Sequence, residues 1–103
     1  MSYTVRLFVD AAESNTTPGQ QQAAIARFKA ALDEALGDSA LVLPVYTAYT
    51  RIVATYGEDP SEEALSPGEL AVFTQWQVAE AAALTAALGP NRYLGDAQFE
   101  IRA

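Results

Sequence analysis

The chain predicts an α+β domain in the order strand, helix, strand, strand, helix, strand, with a four-stranded antiparallel sheet carrying two helices on one face. Three observations support this. Both ends of the chain alternate apolar and polar residues with period two, a capped helix pattern follows the first of these stretches, and an alanine-rich helix pattern precedes the last. A length of 103 residues suits one domain spanning 1–103, large enough to bury a core without metal or disulfide staples.

In the first strand, SYTVRLFVDA, Tyr3, Val5, Leu7 and Val9 occupy one face and Thr4, Arg6, Phe8 and Asp10 the other. After the breaker-rich ESNTTPGQ, Thr17-Pro18-Gly19-Gln20 supplies an N-cap, a proline at the first helical position and a capping-box partner. Ile25, Phe28, Leu32, Ala35 and Leu36 then recur at helical spacing until Gly37, which can take the left-handed conformation that ends a helix. The next stretch, LVLPVYTAYTRIVATY from Leu41 to Tyr56, is dense in Val, Thr, Tyr and Ile and predicts a strand, with Pro44 at its start or on an edge. GEDPSEEALSPGE follows as a solvated loop over 57–69, with five acidic residues and one turn of helix after Ser61. ELAVFTQWQ predicts a third strand over 69–77, and Val78 to Leu88 an alanine-rich helix stopped by Gly89-Pro90. Ala97, Phe99 and Ile101 alternate with Gln98, Glu100 and Arg102 in a closing strand.

This order is that of the ferredoxin-like split βαβ arrangement. Tyr3, Val5, Leu7, Phe73, Phe99 and Ile101 are expected on the helix-covered face, where Ala48, Ala54 and Ala97 admit close approach. The opposite face would carry Arg6, Phe8, Tyr49, Arg51, Val72 and Trp76, with polar residues between them. That surface is too apolar to stay wet, so a second copy of the chain is expected to cover it. One segment admits another reading: Val45, Ala48, Tyr49, Ile52, Val53 and Tyr56 also form a helical stripe. If that helix forms, the domain becomes a three-helix unit with two terminal strands and the shared pocket disappears.

Composition narrows the chemistry. The net charge of −7 repels a phosphate backbone and argues against a nucleic-acid surface. With no histidine, the commonest general base and metal ligand is missing; with no cysteine, so are disulfides and thiol nucleophiles. No run of about 18 apolar residues could span a bilayer, no leader pattern opens the chain, and nothing requires an oxidising compartment. A cytoplasmic protein without a metal or other cofactor is the expectation.

A first strand ending near a turn, a capped helix, a hairpin whose second strand closes on VFTQWQ, a short helix starting at VAEAAALTAAL and the final AQFEIRA resemble the antibiotic biosynthesis monooxygenase family of dimeric α+β barrels. The likeness spans nearly the whole chain, and its distinctive local motif is the tryptophan closing the third strand. It implies a homodimer in which each unit keeps a ligand cavity, and for some members cofactor-independent oxygenation of aromatic substrates. In those oxygenases an asparagine stands four residues before the tryptophan; here that position is Val72. The axial histidine of haem-degrading relatives is also lacking. Other members of the superfamily are isomerases, cyclases or proteins without known catalysis.

Four residues are therefore candidate ligand contacts for a compact aromatic or anionic metabolite. Trp76 would form a flat wall against a conjugated ring, unless it is only a packing anchor. Tyr49 would add a phenol donor, or make a cross-strand aromatic contact. Arg51 would orient a carboxylate, enolate or phenolate in a monooxygenase or isomerase reaction. Arg6 would assist it, or pair with Glu100. The competing function is an acidic interaction module of the immunity or inhibitor type that presents the 57–69 loop to a basic partner. Asn15, Thr16 and Thr17, ahead of the first helix, are read as its cap in preference to an anion site.

Overall fold

A computed structural model describes residues 3–8, 17–89 and 98–103. Strand β1 (Thr4–Phe8) leads to helix α1 (Pro18–Leu36), a 3-10 turn at Ser39–Leu41, helix α2 (Val42–Tyr56), a second 3-10 turn at Glu62–Ala64, helix α3 (Pro67–Leu88) and strand β2 (Gln98–Arg102). The strands pair antiparallel, Thr4 opposite Arg102 and Phe8 opposite Gln98. The four-stranded ferredoxin-like sheet and the α+β barrel are thus corrected: the described residues form three helices and a two-stranded ribbon.

The terminal elements lie where the period-two pattern puts them. Val5, Leu7, Phe99 and Ile101 turn inward and Thr4, Arg6, Phe8, Gln98 and Arg102 outward, with the Phe28 and Phe99 rings stacked at 4.3 Å. Val9, Asp10, Asn15, Thr16, Pro90 and Ala97 lie outside the described residues. Helix α1 begins with the full capping box: Thr17 Oγ1 accepts from Gln20 N–H at 3.2 Å, and Gln20 Oε1 accepts from Thr17 N–H at 2.8 Å. It ends at Gly37, whose φ of 86° is left-handed.

The central segment departs from the strand prediction. Val42 and Ile52 are buried on α2, with Val45, Tyr46 and Tyr49 partly buried on the same side. Val45, Tyr49 and Ile52 of the alternative helical stripe lie on this face, whereas Tyr56 is 39% exposed, and packing against α3 overrides the strand propensity of Thr, Tyr and Val. Helix α3 likewise absorbs the whole of ELAVFTQWQ. Its start repeats the grammar of α1, since Ser66 Oγ accepts from Glu69 N–H at 3.2 Å and Glu69 Oε1 accepts from Ser66 N–H at 3.0 Å, again with Pro-Gly between the two.

Along α3 the buried side chains taper. Phe73 and Trp76 come first, then Ala79, Ala83 and Ala87. Bulk at the front meets the tyrosines of α2, and the alanine floor behind lets α1 come close with Ala24, Phe28, Leu32 and Leu36, spaced four apart. The α1–α3 contact is the most extensive between helices. Arg27 fastens it by donating from Nε to Ala86 O at 3.2 Å and from Nη2 to Ala87 O at 3.1 Å, filling carbonyls that the end of α3 leaves unpaired.

Tyr3 ties the ribbon to α1. It is 2% exposed, and its hydroxyl donates to Asp33 Oδ1 at 2.6 Å while lying 3.2 Å from Lys29 O. Burial, then the hydrogen bond and charge of Asp33, push the Tyr3 pKa well above its ordinary 10. Because the folded value is the higher one, the stabilisation is complete below pH 10 and is lost as pH rises from there through the folded value. Replacement by phenylalanine is expected to cost about 1–2 kcal/mol at pH 8. In urea titrations followed by circular dichroism, the gap between Tyr3→Phe and wild type should narrow above pH 10; a constant gap would refute this account.

Candidate functional site

The four predicted contacts do not come together. Trp76 is fully buried in the seam between α2 and α3, its ring centroid 4.9 Å from Tyr46 and 6.1 Å from Tyr49. Tyr49 also meets Phe73 at 5.3 Å. These four rings form an aromatic ladder that joins the helices. The indole is therefore a packing anchor, the plainer of its two readings, and its Nε1 is a buried donor with no hydrogen-bond partner among the described residues.

Tyr49 and Arg51 separate because of helix geometry. Residues two apart share a strand face, but on a helix they stand about 200° apart. Tyr49 accordingly turns inward and Arg51 is exposed. Burial, followed by the negative charges of Glu80 and Glu58, raises the Tyr49 pKa above its usual value. Arg6 projects from the outer face of the ribbon with its guanidinium 5.8 Å from the Phe8 ring centroid. Glu100 is its cross-strand neighbour, as expected, yet the carboxylate pairs with Arg102 on its own strand.

Around Arg51 the surface is hollowed. One open trough of about 490 Å3 runs along α2 between Leu43, Pro44, Thr47, Ala48, Arg51 and Ala103. A second, of about 300 Å3, lies between α2 and the start of α3, where Ile52, Gly68, Glu69 and Val72 join Ala48 and Arg51. Arg51 and Ala48 line both.

Between the helices, the acidic connection is exposed but fixed at each end. Gly57 closes α2 with φ 94°, its N–H donating to Val53 O at 2.8 Å. The expected turn after Ser61 is the 3-10 turn at Glu62–Ala64. Leu65 then buries itself against Ile52 and Phe73, and Ser66 caps α3. Glu69 is drawn out of the acidic set: it accepts from Ser66 N–H and from Tyr56 Oη at 3.2 Å, and the Ser66 backbone hydrogen bond is the main cause of its lowered pKa. Glu58, Asp59, Glu62 and Glu63 are exposed and have no ion-pair partner among the described residues.

Known protein families, characterised proteins and solved structures contain no match to this chain. Function rests on the geometry. Among the described residues no group of three or more His, Cys, Asp or Glu is placed to hold a metal ion, and no helix is long and apolar enough to cross a membrane.

What sequence reasoning missed is the second helix start. Ser66-Pro67-Gly68-Glu69 carries the same cap, proline, glycine and return acceptor as Thr17-Pro18-Gly19-Gln20. Given equal weight, that signal starts α3 at Pro67 instead of Val78 and moves Trp76 from a sheet face to a helix core.

Proposed function

We propose that the chain is a protein-binding module that docks a basic partner through the connection between α2 and α3. The supporting observation is a set of exposed carboxylates that have no ion-pair partner among the described residues and are anchored at each end of their connection. Four acidic side chains within six residues, Glu58 to Glu63, lie between a closed helix end and the buried Leu65, which limits the loop ordering that docking must supply. Concentrated negative charge of this kind accelerates encounter with a cationic surface and selects against acidic partners. A metabolite pocket walled by Trp76 loses its wall, since the indole is enclosed by its own aromatic neighbours.

The test replaces Glu58, Asp59, Glu62 and Glu63 together by Gln or Asn. Proteins retained by the wild-type chain from an extract of its own source would be identified, and the most basic of them purified and titrated against both forms at about 50 and 200 mM salt. A partner whose affinity for wild type falls steeply with salt, and which the neutralised chain loses, supports the proposal. Equal retention by both forms, or binding indifferent to salt, would refute it.

A further inference from the structure

The six basic side chains of this acidic protein are not equivalent. Arg92 lies outside the described residues. Arg27 caps the end of α3, Lys29 lies 5.0 Å from the Tyr3 ring centroid, Arg6 rests near Phe8 and Arg102 pairs with Glu100. Arg51 alone among the described residues makes no side-chain hydrogen bond, ion pair or ring contact, and Glu69, the one carboxylate that shares a trough with it, is engaged by Ser66 and Tyr56 instead. Arg51 lines two troughs whose walls are largely aliphatic: Leu43, Pro44 and Ala48 on one side, Ile52 and Val72 on the other.

From this we infer that the Arg51 trough is a binding site for a small carboxylic acid with an apolar body, separate from the acidic docking surface. A guanidinium matches a planar carboxylate with two parallel N–H donors, and it is weakly hydrated enough to do so against apolar walls. Volume fits as well: about 490 Å3 lies in the range of small-molecule clefts. The direction of the ligand follows from Glu69, which lines the smaller trough and whose negative charge disfavours a second anion there. The acid group therefore sits on Arg51, and the apolar body lies along Leu43, Pro44 and Ala48.

The probes are 3-phenylpropionate, its neutral amide and acetate, titrated into the full 15N-labelled chain and followed by NMR. 3-Phenylpropionate is expected to shift the amides of Leu43, Thr47, Ala48 and Arg51, with the amide analogue and acetate each weaker by about tenfold or more. Three exposed substitutions locate the site. Thr47→Phe fills the larger trough from its rim and should abolish the shifts, as should Arg51→Gln. Gly68→Leu enters open space on the smaller trough, where nothing lies within 4 Å of the added Cβ, and should leave affinity within about twofold. Amide dispersion of each variant reports that it is folded. The inference is overturned by an absence of shifts at 10 mM probe (a concentration roughly tenfold above a millimolar Kd), by equal binding of the amide or of acetate, or by a loss in Gly68→Leu as large as that in Thr47→Phe.

Discussion

Trp76→Ala is expected to remove about 3–5 kcal/mol of stability. The indole is 0% exposed, and it meets Tyr46 and Tyr49 at a tilt, so truncation opens a cavity where α2, α3 and α1 all contribute walls. For a domain whose whole stability is on the order of 5–15 kcal/mol, the melting temperature should fall by roughly 20 °C. Circular dichroism must follow the transition, because the substitution removes the only tryptophan. Trp76→Phe separates two contributions. It keeps an aromatic ring in the ladder and removes the Nε1 donor, which has no partner among the described residues and whose burial costs about 1–3 kcal/mol. Its loss should therefore be less than half that of Trp76→Ala. Equal losses would show that the donor has a partner in solution.

The taper of α3 explains why that position misleads. Over Glu69 to Gln77, the mixture of Val, Phe, Thr and Trp satisfies strand propensity, while the alanines from Ala79 onward satisfy helix propensity. A boundary at Trp76 is the natural inference from composition. What composition cannot carry is the identity of the neighbours: the front of α3 holds large side chains because α2 presents tyrosines to it, and the rear holds small ones because α1 presents Phe28 and Leu32. Capping chemistry is less dependent on tertiary context, and the same four-residue grammar stands at the start of both long helices.

The terminal ribbon was legible because alternation over five residues has only one sheet-compatible reading, and Tyr3, Val5, Phe99 and Ile101 all turn inward as read. For the candidate site the outcome was governed by period. Placing Tyr49 and Arg51 on one face required a two-residue repeat, and once α2 is a helix they must diverge, one into the aromatic seam and one into solvent. Trp76 is a packing anchor and Arg51 an exposed cation. The constellation they were meant to form depended on the sheet.

Leu65→Ala tests the mechanical half of the docking proposal and is expected to cost about 2–3 kcal/mol. Leu65 is 8% exposed in a small cluster with Ile52 and Phe73, apart from the main core, and it is the buried side chain that holds the far end of the acidic connection. Its truncation should raise amide exchange across Glu58–Ala64 more than across α1, because the anchor is local and the α1–α3 contact is untouched. Neutralising Glu58, Asp59, Glu62 and Glu63 should do the reverse, leaving stability within about 0.5 kcal/mol since none of the four has an ion-pair partner to lose among the described residues. The two changes then separate charge from rigidity. If docking requires both, Leu65→Ala weakens partner binding with every carboxylate still in place, by slowing the formation of a competent loop and adding an ordering cost. If Leu65→Ala loosens the loop while affinity and salt dependence stay at wild-type values, the charges act as a diffuse field and the mounted geometry has no part in recognition.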